Sequence, residues 1–241
     1  MLSLEHIAWQ LPQGKCILRD ISFTVPEGKL VVITGPNGGG KTSIAKIIAG
    51  LLAPTAGRIL LDGEDITALD VTERAKKGVS FAFQQPVRFK GLTVRDLLEL
   101  AAGAPLSETT LCDLLGKVGL CAQEYADREA DSSLSGGEIK RIEIATVLAR
   151  NTRLMLFDEP EAGIDLWSFT SLINVFERLK GRVAGSLLVI SHQERILNIA
   201  DEIIVVADGC VRTSGPKDTV LPALLADEMA KLCPLGEEEQ R

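Results

Sequence analysis

Short runs of consecutive apolar residues alternate along the chain with segments of helical periodicity. The runs are KLVVITG at 29–35, GVSFAFQ at 78–84, RLMLF at 153–157, SLLVIS at 186–191 and EIIVVADG at 202–209. Strands that are apolar throughout are typical of a mostly parallel sheet that is covered on both faces. The pattern therefore predicts an α/β fold, and such folds bind ligands beyond the carboxyl ends of their strands.

Residues 87–134 follow a different pattern from the rest of the chain. Thr93 and Asp96 have the spacing of a capping box, and the apolar stretch LLEL follows them. Several short helical segments come next, with no convincing strand among them. We therefore expect one catalytic α/β domain, built from residues 1–86 and 135–241, that carries a helical insertion at 87–134.

The composition excludes several classes of protein. Of the 241 residues, 46% are hydrophobic, which is enough to bury the core of one α/β domain. The net charge is −7 and no lysine- or arginine-rich run is present, so a nucleic acid is not expected as a partner. No apolar run approaches the ~18 residues of a membrane span, and the first residues lack the pattern of a signal peptide. We expect a cytoplasmic protein without direct membrane insertion.

The cysteines follow no pattern of a zinc site or a disulfide framework, because none of them has CxxC spacing. We interpret all five as small apolar residues. They are Cys16, Cys112, Cys121, Cys210 and Cys233.

The clearest motif is GPNGGGKTS at residues 35–43, which we call the phosphate loop. It matches GxxxxGK[ST], and it lies between a predicted strand and the helical pattern SIAKIIAGLLA. Backbone N–H groups of such a loop hold a β-phosphate, Lys41 bridges the β and γ oxygens, and the Thr42 hydroxyl is a ligand of Mg²⁺. An ordinary flexible turn does not explain this context. We predict ATP and Mg²⁺ as cofactors, held by Gly35, Asn37, Gly38, Gly39, Gly40, Lys41, Thr42 and Ser43.

Two adjacent acids, Asp158 and Glu159, end the apolar strand LMLFDE. A buried strand has no structural use for such a pair, although a solvated turn is the alternative. We expect Asp158 in the Mg²⁺ shell and Glu159 as the group that polarises the attacking water.

Gln84 and His192 follow two further predicted strands, at the same edge of the sheet. The Gln84 amide has the reach to contact the metal or the attacking water, and its position at the start of the helical insertion suits it to report the nucleotide state. His192 has the reach to contact the γ-phosphate or the water near Glu159. Each residue taken alone is more often structural, but the other polar groups at this edge favour catalytic roles for Gln84, Glu159 and His192.

A second glycine-rich stretch, LSGGE at 134–138, is called the LSGGE loop below. Ser135 and Glu138 have capping-box spacing, and the N–H groups of Gly136 and Gly137 at a helix start form an anion site. The phosphate loop already engages one nucleotide, so the second loop must serve another. We predict an ATP-dependent, two-fold homodimer in which each LSGGE loop closes on the nucleotide of the partner.

These motifs, in this order, resemble those of the ATP-binding-cassette superfamily over nearly the whole chain. The resemblance implies a P-loop NTPase fold with a mostly parallel core, an N-terminal antiparallel β subdomain and an inserted helical subdomain. It also implies that Asp165, in AGID at 162–165, lies in a loop that communicates across the dimer, and that Ser135 and Gly137 contact the opposite γ-phosphate. One departure is Leu11, which stands where many members have a tyrosine that stacks on adenine.

Within the superfamily, several segments resemble the SufC-type ATPases of iron–sulfur cluster assembly. They are TERAKKGVSFAFQQPV, SGGEIKRIEIA, SHQERIL and DGCVRTSG. This resemblance implies a SufB/SufD-like scaffold protein as partner, bound near Gln84 and the insertion. The stretch EPEAGIDLW departs from the better-known bacterial form, which leaves the number of scaffold proteins open. The alternatives are a membrane ABC transporter subunit and a non-catalytic regulator, and Glu159 and His192 argue against the second.

The helix that contains Lys140 ends near Arg150, and the strand from Arg153 runs back antiparallel to it toward Glu159. Lys140 and Glu159 are therefore expected at comparable positions along the helix axis. We therefore predict that Lys140 pairs with Glu159 in the free subunit and draws it away from the attacking water. The alternative places Lys140 in solvent.

Overall fold

The fold is described from a computed structural model, which describes residues 1–85, 87–180 and 185–232. These residues form one ten-stranded sheet with the order β5-β4-β1-β2-β10-β9-β3-β8-β7-β6. The strands are β1 (Leu2–Gln10), β2 (Cys16–Val25), β3 (Leu30–Thr34), β4 (Ala56–Leu61), β5 (Glu64–Asp65), β6 (Val79–Ala82), β7 (Leu154–Asp158), β8 (Ser186–Ile190), β9 (Glu202–Ala207) and β10 (Cys210–Pro216). The helices are α1 (Lys41–Ile48), α2 (Val71–Lys76), α3 (Val94–Ala102), α4 (Glu108–Lys117), α5 (Ala122–Tyr125), α6 (Gly136–Ala149), α7 (Leu166–Leu179), α8 (Glu194–Ile199) and α9 (Lys217–Leu232).

The five apolar runs of the sequence form the parallel part of this sheet. Neighbouring strands pair in parallel in the order β9, β3, β8, β7 and β6. Strands β3, β7 and β8 are buried along their whole length, because hydrophobic clusters cover both faces of the sheet. The α/β prediction is therefore confirmed, and the carboxyl ends of these strands lie along one edge.

The other half of the sheet is mainly antiparallel. Strand β1 pairs antiparallel with both β2 and β4, and β10 joins this part to the parallel part by pairing with β2 and β9. His6 is exposed and has a left-handed φ of 53° at an irregularity of β1, where the pairing register shifts on both sides of the strand. The antiparallel N-terminal subdomain that the family resemblance implied is thus present.

Helices α3, α4 and α5 lie within the segment in which a helical insertion was expected. The capping box at the start of α3 is confirmed, because the Thr93 N–H donates to Asp96 Oδ2 at 2.8 Å and the Asp96 N–H donates to Thr93 Oγ1 at 3.1 Å. In the described part of this segment, the β-structure is a single isolated bridge between Thr93 and Glu129. Leu98, Leu111 and other buried apolar residues pack these helices against α6.

A buried guanidinium joins the parallel core to the antiparallel part. Arg74 of α2 is only 1% exposed. It donates hydrogen bonds to the carbonyl oxygens of Ile47 and Ile48 at the end of α1. It also donates to the carbonyl oxygens of Thr67 at 2.8 Å and Leu69 at 2.9 Å. These bonds satisfy carbonyl groups that a helix end leaves without partners.

The cysteines, which were interpreted as small apolar residues, lie mostly at the surface. Cys16, Cys112 and Cys121 are exposed, and Cys210 is partly exposed. The reason is position: these residues lie at a strand start or on outward helix and loop surfaces, which the spacing of cysteines alone does not indicate. Cys233 lies outside the described residues. No helix among the described residues is long and apolar enough to cross a membrane.

Candidate active site

The phosphate loop connects β3 to α1 and packs tightly on one side. A Cβ on Gly35 would lie 2.0 Å from the Val206 carbonyl oxygen, and a Cβ on Gly40 would lie 2.4 Å from Leu18 Cδ2. Gly38 has nothing within 4 Å of such a Cβ, so the loop is open on its other side. Glycine is required where the loop touches β9 and β2, and the open side forms a cradle for an anion.

Lys41 is the first residue of α1, and its side chain folds over the phosphate loop. Its Nζ donates to the carbonyl oxygens of Gly35 at 2.7 Å and Pro36 at 3.0 Å. Burial lowers the pKa of the Lys41 ammonium, and the nearby carboxylates of Glu159 and Asp158 oppose this effect. The loop thus holds a buried cation whose present partners are neutral carbonyls, an arrangement suited to phosphate oxygens.

Thr42 and Asp158, two of the three residues expected at the Mg²⁺ site beside Gln84, are in contact. Thr42 Oγ1 donates to Asp158 Oδ1 at 3.3 Å, and Asp158 is only 2% exposed. Burial raises the pKa of the Asp158 carboxyl, and the charge of Glu159 adds to this effect. One hydroxyl and one carboxylate fit Mg²⁺, which takes few protein ligands beside waters and phosphate oxygens. No group of three or more His, Cys, Asp or Glu residues suited to a metal occurs in the described ranges.

Glu159 and Gln84 are in direct contact. Gln84 Nε2 donates to Glu159 Oε2 at 2.6 Å, although the two residues belong to the ends of different strands. Glu159 has a left-handed φ of 45°, and its N–H donates to the Ile190 carbonyl oxygen at 2.9 Å. The turn therefore projects the Glu159 carboxylate beyond the edge of the sheet, where Gln84 holds it.

His192 lies at this same edge, as expected from the sequence. It lies two residues after the end of β8 and is exposed, and Asp158 is paired with Ile190, the last residue of that strand. The structure thus gathers Lys41, Thr42, Gln84, Asp158, Glu159 and His192 at the carboxyl ends of the parallel strands.

The LSGGE loop begins α6 and makes the predicted capping box. The Ser135 N–H donates to Glu138 Oε2 at 2.7 Å, and the Glu138 N–H donates to Ser135 Oγ at 3.2 Å. A hydrogen bond from the Tyr125 hydroxyl, 2.5 Å long, is the main cause that lowers the pKa of Glu138 to about 2. Among the described residues, no hydrogen bond or ion pair joins the LSGGE loop to the phosphate loop.

The glycines of the LSGGE loop instead face residues 160–165, called the 160–165 loop below. A Cβ on Gly136 would lie 3.1 Å from the Gly163 carbonyl oxygen, and one on Gly137 would lie 3.6 Å from Asp165 Oδ2. Asp165 caps the start of α7, because its Oδ1 accepts from the Ser168 N–H at 3.0 Å. The two loops therefore form one packed surface.

The predicted ion pair between Lys140 and Glu159 is wrong. Lys140 Nζ lies 2.9 Å from Glu143 Oε2 and donates a hydrogen bond to the Phe83 carbonyl oxygen. The solvent-exposed alternative is also wrong, because the side chain is only 1% exposed. Lys140 does lie beside the segment that carries Gln84, but Glu143, one turn further along α6, supplies a nearer carboxylate.

Three further residues of this region were not identified from the sequence. Glu143 Oε1 accepts a hydrogen bond of 2.9 Å from the Phe83 N–H, so α6 holds both polar groups of the Phe83 backbone. Glu161 and the buried Ser191 share a hydrogen bond of 2.5 Å behind Glu159 and His192. The sequence did contain a signal for Glu161, because it is a third acid close to Asp158 and Glu159.

At the expected adenine region, the side chain of Trp9 is only partly exposed. Trp9 packs against the hydrophobic cluster beneath the antiparallel strands. Leu11 begins the β1–β2 turn, where its N–H donates to the Lys15 carbonyl oxygen at 2.9 Å. Leu11 thus supplies only aliphatic surface.

Comparison with known proteins identifies the family. The model of the family described as "ABC transporter" matches residues 18–162, which is more than half of the chain. The chain belongs to the ABC transporter ATPase family. It is accordingly an ATPase that binds ATP. Its fold, a parallel core with an antiparallel β part and inserted helices, is that of the ABC cassette.

Two curated relatives and one solved structure define the similarity further. An uncharacterized ABC transporter ATP-binding protein of Methanocaldococcus jannaschii, MJ0035, is 39% identical over 84% of each chain. The lipopolysaccharide export ATP-binding protein LptB of Acidithiobacillus ferridurans is 34% identical over 94% of this chain and 93% of its own. The ADP conformation of MJ1267, an ATP-binding cassette of an ABC transporter, aligns with a TM-score of 0.81 at 26% identity, over 96% of this chain and 97% of that one.

Proposed function

We propose that this chain hydrolyses ATP as a head-to-tail homodimer around two Mg-ATP, and that it thereby drives conformational change in a bound partner. The observation that supports this most directly is that, among the described residues, no hydrogen bond or ion pair joins its two anion sites. The catalytic groups gather around the phosphate loop, whereas the LSGGE loop packs on the 160–165 loop. A second copy is therefore needed to bring an LSGGE loop to each nucleotide.

Within one site, each polar group has a distinct role. The phosphate loop and Lys41 bind the β and γ phosphates, while Thr42 and Asp158, with Gln84, hold Mg²⁺. When bound, Mg²⁺ neutralises charge on the phosphate oxygens. Glu159 is the general base that orients and deprotonates the attacking water, and His192 contacts the γ-phosphate.

The hydrogen bond between Gln84 and Glu159 keeps the free subunit inactive in this scheme. At 2.6 Å it occupies Glu159 Oε2, one of the two oxygens that accept a proton from water. Gln84 must turn away before both oxygens become available. Because Gln84 adjoins the segment held by Lys140 and Glu143, a partner that moves this segment also controls the base.

The partner is proposed to bind an apolar groove beside this segment, which we call the Phe83 groove. Phe83, Val87 and Phe89 are 39%, 50% and 40% exposed, an unusual exposure for large apolar side chains that lie together. The groove encloses about 230 Å³. Its lining residues are Phe81, Phe83, Val87, Phe89, Leu97, Ile139, Ile142, Glu143 and Thr146. Such a groove suits the apolar face of a helix.

The relatives favour a subunit of a membrane transporter as the occupant of the Phe83 groove. LptB is named for lipopolysaccharide export, and the aligned cassette MJ1267 is named for an ABC transporter. We therefore propose a cytoplasmic ATPase subunit that docks on membrane-spanning partner subunits. The names of these relatives favour this role over the scaffold role.

A SufB/SufD-like scaffold of iron–sulfur cluster assembly is the second candidate partner. It is favoured by the SufC-like segments of the sequence, one of which supplies Phe81, Phe83 and Val87 to the Phe83 groove. In addition, the relatives named LptB are 31–34% identical and thus less similar to this chain than the uncharacterized relative with 39% identity. The name of that more similar relative specifies no exported substrate. This candidate uses the same catalytic site and the same groove.

The enzymatic part of the proposal is tested with Glu159→Gln. This variant is expected to bind Mg-ATP without hydrolysing it, so that the dimer accumulates and is seen by size-exclusion chromatography. A variant that stays monomeric with ATP and with its partner present would refute the head-to-tail arrangement.

The partner is tested by purification from the native cell with a tagged chain. Recovery with integral membrane proteins, released only by detergent, supports the transporter subunit. Recovery in a detergent-free complex with a β-rich scaffold supports the second candidate. Phe89→Asp is expected to abolish either association, and a matched change far from the groove, Glu5→Lys, is expected to leave it intact.

A further inference from the structure

Glu161 is a partly buried acid that has no role in the catalytic scheme above. Its Oε1 accepts a hydrogen bond of 2.5 Å from the hydroxyl of Ser191, which is completely buried. Its Oε2 is buried and has no hydrogen-bond partner in the described part of the chain. Leaving a buried polar atom unpaired costs about 1–3 kcal/mol. A position at which the carboxyl had no role would be better occupied by an apolar residue.

The partner of Glu161 directly precedes His192. Ser191 Oγ donates to Glu161 and also accepts from the Gln193 N–H at 3.0 Å. The hydroxyl therefore links Glu161 to the backbone on the far side of His192. Displacing the Glu161 carboxyl therefore displaces the backbone from which His192 projects.

Glu161 lies between Glu159 and the rest of the 160–165 loop. The Ala162 N–H donates to the Glu159 carbonyl oxygen at 3.0 Å, and the Ile164 N–H donates to the Glu161 carbonyl oxygen at 3.3 Å. These bonds make the loop a compact pair of turns. A displacement at one end is therefore carried to the other instead of being absorbed.

The far end of the 160–165 loop touches the LSGGE loop. Gly136 approaches the Gly163 carbonyl oxygen so closely that an added Cβ would lie 3.1 Å from it, and a Cβ on Gly137 would lie 3.0 Å from Ser168 Oγ. The LSGGE loop cannot move toward a partner's nucleotide without changing these contacts. A continuous series of contacts thus runs from the LSGGE loop to His192 within one chain.

We propose that Glu161 is a positioning residue that couples the two nucleotide sites of the dimer through its hydrogen bond to Ser191. Closure of the LSGGE loop on the partner's nucleotide shifts the 160–165 loop, and the Glu161–Ser191 bond sets His192 against the γ-phosphate of its own site. This inference rests on the proposed dimeric ATPase function.

The role requires a hydrogen-bond acceptor at position 161 and does not require a negative charge. Burial is the main cause that raises the pKa of the Glu161 carboxyl, which favours the neutral form. A glutamine reproduces the shape and the acceptor oxygen of that neutral form. An alanine removes the acceptor and leaves the Ser191 hydroxyl without it.

The test measures kcat and KM for Mg-ATP in the full chain, with its partner where turnover requires it. Glu161→Ala and Ser191→Ala are each expected to lower kcat about 10- to 100-fold, since small misplacements of reacting groups cost this much. KM is expected to stay within about twofold, because neither residue binds nucleotide. The double variant is expected to be no slower than the slower single variant, because both remove one interaction.

Glu161→Gln is expected to retain most of the parental kcat. The matched control is Glu194→Ala, which removes an exposed acid from the start of α8 near His192 and is expected to leave kcat unchanged. Melting temperatures of all variants separate loss of fold from loss of coupling. If Glu161→Ala does not fold, Ser191→Ala and Glu161→Gln still decide the outcome.

Three results would overturn the inference. They are a Glu161→Ala or Ser191→Ala enzyme with parental kcat, strictly multiplicative losses in the double variant, and a Glu161→Gln enzyme as slow as Glu161→Ala. The dimer is checked separately by adding Glu161→Ala to the Glu159→Gln background, where ATP is still expected to produce dimers. Absence of dimers in Glu159→Gln itself would instead contradict the proposed function.

Discussion

Replacing Lys140 with methionine tests whether the buried ion pair on α6 is a structural element. The Lys140 and Glu143 side chains are 1% and 14% exposed and lie 2.9 Å apart. The 2.9 Å contact is electrostatic, because Glu143 Oε2 accepts no properly directed hydrogen bond. The substitution leaves this oxygen and the Phe83 carbonyl without the ammonium group. Breaking a buried pair in this way typically costs ~3–5 kcal/mol.

The expected loss of stability is large enough to measure by two methods. For a chain of this size, each kcal/mol of unfolding free energy corresponds to roughly 2–4 °C in melting temperature, so Lys140→Met is expected to melt about 6–20 °C lower. Urea denaturation gives the free energy of unfolding directly. Basal ATPase activity is expected to change as well, because the Phe83 segment carries Gln84.

Two control variants define what the result means. Lys117→Met removes an exposed lysine that also pairs with an acid on its own helix, Asp113 at 2.6 Å, and is expected to cost less than ~1 kcal/mol. The double variant Lys140→Met/Glu143→Leu replaces the whole pair by apolar side chains and is expected to recover part of the loss. The remainder reflects the Phe83 N–H and carbonyl, which both lose their partner on α6. If Lys140→Met is as stable as Lys117→Met, the reasoning from burial is refuted.

Three further outcomes are expected. Lys41→Ala is expected to lose productive Mg-ATP binding in calorimetry, because no other cation lies in the phosphate loop; near-normal affinity would contradict the assigned site. Gly35→Ala is expected to destabilise the chain by about 1–3 kcal/mol in urea denaturation, because its Cβ would lie 2.0 Å from a backbone carbonyl of β9, whereas Gly38→Ala meets open space and is expected to cost less. The depressed pKa of Glu138, about 2 against an ordinary 4.5, contributes stability that is present above pH 4.5 and lost toward pH 2; Tyr125→Phe is expected to reduce that pH dependence in denaturation measurements, and an unchanged profile would contradict it.

Features that depend on neighbouring residues in the chain were predictable from the sequence. The apolar runs indicated buried parallel strands, and the capping boxes at Thr93 and Ser135 marked the starts of α3 and α6. The alignment of strand ends then placed Asp158, Glu159 and His192 at one edge without any knowledge of the helices, because a parallel sheet brings its carboxyl ends together.

Features that depend on the rotation of a helix or on competing partners were not predictable in this way. Helix length gave Lys140 nearly the correct height, but the direction of its side chain depends on how α6 packs against β6. Lys140 pairs with Glu143 instead of Glu159, and Glu159 bonds to Gln84 instead of Lys140, because these partners lie closer in the fold. The exposure of three cysteines is likewise a property of the folded surface and not of their spacing.

Arg74 places a positive charge at the C-terminal end of helix α1, opposite the end at which a nucleotide would place a negative charge. The N-terminal end of α1 faces the phosphate cradle, and the C-terminal carbonyls of Ile47 and Ile48 are bound by Arg74. Because the helix dipole favours an anion at the first end and a cation at the second, each charge strengthens the field that the other experiences. A nucleotide bound at one end therefore strengthens the interaction of Arg74 with the carbonyl groups at the other. Helix α1 thus couples the two sites electrostatically, and ATP binding is expected to protect the segment from Thr67 to Arg74 from hydrogen exchange, although this segment lies at the opposite end of α1 from the nucleotide.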